Sequence, residues 1–87
     1  MAAILNVTIV SASQSVWTGE AVQLSARTVE GEIGILAGHE PILAILAPGE
    51  VRVTTPDGEQ ITAKADDGFL SVEHDTVTVV SRDAELV

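Results

Sequence analysis

Apolar and polar residues alternate with a period of two through most of this 87-residue chain. Successive side chains of an extended strand point to opposite faces, so the pattern predicts half-buried β-strands with one apolar and one solvated face. No segment of useful length shows a convincing helical period, although residues 14–27 fit either pattern. The clearest alternating segments are residues 5–9, 51–54, 61–64 and 77–79.

Turn-forming residues separate these segments at intervals of about ten residues. The sequence TPDGE at residues 55–59 is the clearest hairpin connection, and His74-Asp75 is the next; Thr18-Gly19 is also expected to form a turn. Short strands with regular turns predict an all-β fold, an antiparallel β-sandwich or flattened barrel. The length predicts one domain, spanning residues 1–87.

One segment departs from the alternation, because residues 42–47 (ILAILA) are apolar on both faces. A strand in a small two-layer domain buries one face in its own core. The first interpretation is a central strand whose outer face is covered by a loop. The alternative is that the outer face belongs to a protein interface. The two aromatic residues are interpreted as packing residues: Trp17 as a partly buried anchor and Phe69 as core.

The charge balance restricts the partners that the chain can bind. Four Lys and Arg residues stand against thirteen Asp and Glu, a formal charge of −9. The negative electrostatic field of this charge repels phosphate backbones and anionic lipid surfaces, so neither nucleic-acid binding nor direct lipid insertion is expected. A basic protein partner is favoured. The apolar runs are far shorter than the roughly 18 residues of a membrane span, and the N-terminus lacks the features of a signal peptide. Membrane association is therefore expected through partners.

The residues that carry most enzyme chemistry do not form a recognisable constellation. His39 and His74 have no zinc-type spacing, and adjacent side chains on an extended chain, such as His39 and Glu40, point to opposite sides. No serine lies in a G-x-S-x-G elbow, and the glycines match no nucleotide-binding loop. There is no cysteine for a disulfide or thiolate site. The sequence predicts no catalytic, cofactor or metal site.

A carrier domain is an alternative from another class, alongside a general acidic protein-binding module. Biotinyl and lipoyl domains are small, acidic and all-β, and they carry a modified lysine at a hairpin tip. Lys64 is the one lysine of this chain, but it falls on the polar side of an alternating segment and lacks flanking methionines.

The central block GEIGILAGHEPILAILAPGEVRV resembles the signature region of the epsilon subunit of F-type ATP synthases, where G-E-x-G-I-x-x-G-H-x-P leads into an apolar strand. The preceding segment LNVTIVSASQSVWTGEAVQLSARTVEGE is similar to the N-terminal strands of that family. The segment DDGFLSVEHDTVTVVSRDAE is similar to its closing hairpin. The resemblance covers essentially the whole chain.

The resemblance implies a sandwich of about ten short strands in the central stalk of the synthase, peripheral to the cytoplasmic face of the bacterial plasma membrane. Such a subunit binds gamma and the polar loops of the rotor ring of c subunits, and it couples ion translocation to ATP synthesis without being catalytic. Glu32 and His39 match residues that face the ring in this family, and Glu40 adds a charge beside them. Gamma is the expected partner of the apolar segment, through four residues: Ile42, Leu43, Ile45 and Leu46.

Family members commonly continue into a C-terminal helical hairpin that can inhibit ATP hydrolysis. This sequence stops at Val87, directly after the segment that matches the closing hairpin. The expectation is a short form without the helical hairpin, for which hairpin-type inhibition is not expected.

Overall fold

The structure, a computed structural model, describes residues 4–87 and contains ten β-strands and no helix in that range. The strands are β1 (Leu5–Ser11), β2 (Ser15–Ala21), β3 (Gln23–Thr28), β4 (Gly31–Leu36), β5 (Ile42–Leu46), β6 (Gly49–Thr54), β7 (Gln60–Ala65), β8 (Gly68–Glu73), β9 (Thr76–Ser81) and β10 (Ala84–Leu86). The predicted all-β fold with about ten short strands is confirmed.

The strands form one hydrogen-bonded sheet in the order β10-β7-β6-β3-β5-β8-β9-β1-β2, with β4 paired to the other side of β3. The sheet folds over at the junction of β3 and β5, where Thr28 pairs with Leu46. The N–H of Val29 donates to the carbonyl of Ile45 at 3.0 Å at the same corner. The result is a flattened barrel with a first layer of β10, β7, β6, β3 and β4 and a second layer of β5, β8, β9, β1 and β2.

One strand pair differs from the predicted antiparallel arrangement. β1 and β9 run parallel, with Val7 opposite Val77 and Ile9 opposite Val79, whereas the other pairs within residues 4–87 are antiparallel. Adjacent parallel strands need a long crossover connection. Here the chain leaves the β1–β2 hairpin, builds the first layer, and returns through β8 to place β9 beside β1.

The core lies between the two layers and consists of the inward residues of the alternating segments. These side chains include Leu5, Val7, Ile9, Leu24, Ile35, Leu46, Val51, Val53, Leu70, Val72, Val77 and Val79, each nearly or fully buried. Two polar residues are buried with them, Thr28 and Ser81. The Ser81 hydroxyl donates to the carbonyl of Asp83 at 2.7 Å and accepts from the N–H of Asp66 at 2.8 Å. Burial of this hydroxyl is therefore compensated by two hydrogen bonds that join two turns.

The predicted turns at residues 55–59 and at His74-Asp75 are confirmed. The second is a tight turn in which both residues are left-handed, with φ of 50° and 58°. The predicted turn at Thr18-Gly19 is wrong, since both residues lie within β2. A Cβ at Gly19 would lie 2.7 Å from the ring of Trp17, so this position needs glycine to let the ring pack against the strand. Trp17 is half-buried against the core, as predicted.

Candidate partner-binding surface

The outer face of the first layer has the charge pattern of an ordinary solvated sheet. It carries the three cationic residues of the strands, Arg27, Arg52 and Lys64. The Arg52 guanidinium lies 3.0 Å from the carboxylate of Glu50, and Lys64 is in register with Glu50 on one side and Glu85 on the other. Because Lys64 lies within β7 between two carboxylates, it is not at a hairpin tip as carrier domains require.

The outer face of the second layer is different, because its five strands contain no Lys or Arg. The strand registers place its side chains in rows that cross several strands. The apolar row consists of Ile45, Phe69, Val80 and Val10. The adjacent row begins at Leu43 and continues through the hydroxyl side chains of Ser71, Thr78, Thr8 and Thr18. Carboxylates appear at one margin, at Glu20 and Glu73.

Three large apolar side chains on this second-layer face are exposed to solvent: Leu43 by 70%, Ile45 by 55% and Phe69 by 40%. The interpretation that a loop covers the outer face of β5 is therefore wrong for the described residues. The segment that leads into β5 is held at the end of the barrel instead. The N–H of His39 donates to the carbonyl of Leu36, and the N–H of Gly38 donates to the carboxylate of Asp75.

The four residues predicted to contact gamma separate into two sets. Leu43 and Ile45 point outward, whereas Leu46 is 2% exposed and Ile42 is half-buried against the core. The inclusion of Leu46 is wrong, because alternation along β5 turns this side chain inward. Phe69 was assigned to the core, and that prediction is also wrong. In β8, Phe69 alternates with the buried residues Leu70 and Val72. This alternation is the sequence signal that its side chain faces outward.

The structure also separates the three residues predicted to face the rotor ring. Glu32 is the second residue of β4, whereas His39 and Glu40 follow the far end of that strand. From Glu32 to Leu36 an extended strand spans about 13 Å. The three side chains therefore do not lie together at one end of the sandwich, because β4 runs along the barrel between its two ends.

The two ends differ in how they present these side chains. Glu32 is exposed beside the β3–β4 turn, which also carries exposed Glu30 and Val29, the latter 64% exposed. His39 is half-buried, and its Nδ1 lies 2.8 Å from the carbonyl oxygen of Glu40. Glu40 beside it is exposed, so each end of β4 presents one exposed carboxylate of the predicted set, Glu32 at one end and Glu40 at the other.

A groove connects this turn to the second-layer face. It lies between β4 and β5, which diverge from the corner of the barrel. Its wall on one side includes Glu32 and Ile33, and on the other Leu43 and Ile45. The carboxylate end and the exposed apolar side chains are thus parts of one continuous surface.

Other kinds of site receive little support within residues 4–87. No cluster of three or more potential metal-ligating side chains occurs there, and no helix in that range is long and apolar enough to cross a membrane. His74 is a solvated turn residue, as predicted. One carboxyl group is perturbed: the Thr55 hydroxyl donates to the Asp57 carboxylate and, with backbone hydrogen bonds, holds the pKa of Asp57 below its ordinary value.

Comparison with known proteins agrees with the fold. The family described as ATP synthase, Delta/Epsilon chain, beta-sandwich domain matches residues 4–87. The chain belongs to this family. Among its relatives is the ATP synthase epsilon chain of Micrococcus luteus, 56% identical over 82 residues that cover 94% of this chain and 90% of the relative. The epsilon chain of Frankia casuarinae is 47% identical over 83 residues, which cover 94% of this chain and 96% of that one.

Chains in solved structures have the same fold. A chain in the cryo-EM structure of the Euglena gracilis mitochondrial ATP synthase, which contains OSCP, F1 and the c-ring, superposes with a TM-score of 0.91 at 28% identity. The match covers 97% of this chain and 54% of the Euglena chain, so this chain spans about half its length. A chain from the central stalk and c-ring of the Tetrahymena thermophila enzyme gives a TM-score of 0.73 at 16% identity, covering 92% of this chain and 64% of that one, and shows the fold alone.

Proposed function

We propose that this chain is the epsilon subunit in the central stalk of an F-type ATP synthase, where it binds gamma and the polar loops of the rotor ring. The observation that carries the proposal is the exposure of Leu43, Ile45 and Phe69 on the second-layer face of this chain, which belongs to a family of ATP synthase subunits. The subunit is non-catalytic. It attaches the rotor ring to gamma, so that ion translocation through the ring is coupled to ATP synthesis.

Gamma binds the second-layer face. Exposed apolar side chains at the centre of a patch contribute most of the energy of a protein interface, and small hydroxyl side chains around them permit close approach. Leu43, Ile45 and Phe69 supply the apolar centre, and the row of Ser and Thr residues supplies the flat margin. The absence of Lys and Arg from these five strands means that a basic surface on gamma meets no repulsion there.

The loops of the rotor ring contact the β3–β4 turn through Glu32 and its neighbour Glu30. This assignment is supported by the exposure of both carboxylates and by the groove that joins the turn to the apolar side chains. A rotor ring bound at the turn and gamma bound at the second-layer face would lie side by side. This is the arrangement needed to join the ring to gamma. His39 and Glu40, at the other end of β4, contribute to a separate part of the surface.

The subunit is peripheral, on the cytoplasmic face of the bacterial plasma membrane, and is held there by gamma and the ring. With a net charge of −9 it is repelled by anionic lipid headgroups, so protein contacts provide the attachment.

Mixing the purified chain with gamma and separating the mixture by size-exclusion chromatography tests this function. The expected result is one stable complex at micromolar concentration. Separate elution of the two proteins, with both shown to be folded by circular dichroism, would contradict it.

A further inference from the structure

The sheet of this barrel has exposed strand edges, and these edges differ in how they are protected. An edge strand presents unpaired N–H and C=O groups to which another chain can add, and native proteins commonly protect such edges with short or bulged strands. β10 has three residues, and the pairing of β2 with β1 is interrupted by a register shift at Ile9 and Val10. The free edge of β5 is partly covered, because the carbonyl of Ile45 accepts the N–H of Val29.

β4 has none of these protections. It pairs with β3 over six consecutive residues without a register shift, and no strand within residues 4–87 pairs with its other edge. β4 contains no proline, lysine or arginine, and its one charged residue is Glu32. A Cβ at Gly34 would meet no atom within 4 Å, so another backbone can approach the middle of this strand closely.

The hydrogen-bond pattern identifies the backbone groups on the free edge of β4. The carbonyl of Arg27 in β3 accepts the N–H of Ala47 at 3.0 Å, so the polar backbone groups of Arg27 point away from β4. Glu32, which lies opposite Arg27, therefore belongs to a pair without mutual hydrogen bonds, and the alternation of such pairs gives the same result for Gly34. The N–H and C=O groups of Glu32 and Gly34 thus point to the free edge.

This free edge borders the groove between β4 and β5. Ile33 and Ile42 line the groove from its two sides, and both are half-buried against the core. An extended segment added to β4 would place every second side chain over this apolar lining. Of the described residues that line the groove, two are Glu30 and Glu32, and none is Lys, Arg or His. The groove therefore fits an extended segment in which apolar and polar residues alternate, and in which the polar residues are neutral or basic.

We propose that an extended segment of gamma adds to the free edge of β4 and continues the sheet of the first layer. This inference rests on the proposed function for the identity of the partner. Gamma bound at the second-layer face lies beside the groove, because Leu43 and Ile45 belong to both surfaces. In strand addition of this kind, backbone hydrogen bonds supply the affinity and alternate side chains supply the specificity.

Two substitutions at one position separate the edge from the surface around it. Gly34→Pro removes the N–H on the free edge, whereas Gly34→Ala adds a Cβ and keeps that donor. Proline is tolerated on edge strands, and φ at Gly34 is not left-handed. Affinity for gamma is measured by isothermal titration, and the fold of both variants is checked by circular dichroism. We expect Gly34→Pro to bind gamma about tenfold more weakly than Gly34→Ala, which should stay within about threefold of the unchanged chain.

Amide hydrogen exchange of the unchanged chain, followed by NMR, gives a second readout that needs no substitution. We expect exchange at Gly34 to slow at least about tenfold when gamma binds, because its N–H gains a partner. Exchange at Ile33, whose backbone groups already bond to β3, is the reference. This measurement decides the question by itself if Gly34→Pro does not fold.

The failure of the strand addition and the failure of the proposed function give different results. Binding of gamma without slower exchange at Gly34, or equal affinity of folded Gly34→Pro and Gly34→Ala, would overturn the strand addition and leave the proposed function standing. If the folded, unchanged chain does not bind gamma, the proposed function fails and the strand addition fails with it.

Discussion

Ile45 of β5 and Phe69 of β8 lie directly opposite each other on neighbouring antiparallel strands, and both side chains face solvent. A branched aliphatic side chain beside an aromatic ring is a favourable cross-strand pair, but a pair left in water gains little of the energy available from burial. The pair continues on the same row to Val80, so it belongs to a surface and is not an isolated contact. A partner that covers this row would gain most of the remaining hydrophobic energy.

The two leucines of β5 are expected to differ sharply in their effect on stability. Leu46→Ala leaves a cavity in the core and is expected to lower the free energy of unfolding by about 2–5 kcal/mol. Leu43→Ala changes an exposed side chain and is expected to alter it by less than about 0.5 kcal/mol. Urea denaturation of both variants measures the difference. Equal losses would show that Leu43 is not on the outer face.

Gly68 is expected to tolerate no side chain. A Cβ there would lie 1.9 Å from the carbonyl oxygen of Val80 in the adjacent strand. Because this oxygen belongs to the backbone, the clash can be relieved only by moving the paired strands apart. We expect Gly68→Ala to lower the free energy of unfolding by at least about 3 kcal/mol. Gly34→Ala is the matched control, because no atom lies within 4 Å of its Cβ position and its φ is not left-handed. Thermal denaturation that ranked Gly34→Ala as the more damaging change would contradict the packing of β8 on β9.

The Thr55–Asp57 hydrogen bond is expected to make stability depend on acid pH. The Thr55 hydroxyl is the largest of the causes that lower the pKa of Asp57 in the folded chain. A lowered folded pKa means that the stabilisation is present above the unfolded pKa of Asp and is lost as pH falls through the lower, folded value. In Thr55→Val the pKa of Asp57, followed by NMR titration, is expected to rise; in the control Thr62→Val it should not move. An unchanged titration in Thr55→Val would remove Thr55 as the cause.

The carboxylates at the two ends of β4 are expected to have separate effects, because Glu32 is its second residue and Glu40 follows its far end. Glu32→Gln is expected to weaken attachment of the rotor ring to the stalk and to reduce ATP-driven ion pumping severalfold, because a charge that faces the loops is lost. Glu40→Gln, at the other end, is expected to leave ring attachment within about twofold. The measurement is co-purification of the ring with the reconstituted stalk, with the fold of each variant checked by circular dichroism. The reverse ranking would move the ring contact to the His39 end.

Much of the fold was predictable because alternation is a local property. The inward residues of β1, β6, β7 and β9 were correctly expected to face the core, since period-two patterning fixes side-chain direction once a strand forms. The parallel pairing of β1 with β9 was not predicted. It depends on how the whole chain returns to its first hairpin, and no local pattern encodes that path.

The errors at the candidate site have related causes. Glycine occurs both in turns and where a neighbouring side chain needs room, and the sequence does not distinguish the two at Gly19. The room that Gly19 leaves for the ring of Trp17 is a tertiary contact. Hydrophobicity alone predicts a core position for Phe69, whereas its alternation with Leu70 and Val72 in β8 indicates that it faces outward. Glu32 and His39 are grouped by the resemblance, because both match residues that face the ring in that family. In this chain most of the extended strand β4 lies between them, which separates them in space.

Isothermal titration of gamma with two substituted chains tests the central claim, that the second-layer face binds gamma, most directly. Ile45→Ser removes one side of the Ile45–Phe69 pair, and Arg52→Ser is the matched control on the charged outer face of the first layer. We predict that Ile45→Ser weakens binding at least about 30-fold, the loss expected of a residue at the centre of an interface, and that Arg52→Ser changes it by less than about threefold. Unchanged affinity in Ile45→Ser, or a greater loss in Arg52→Ser, would contradict the account.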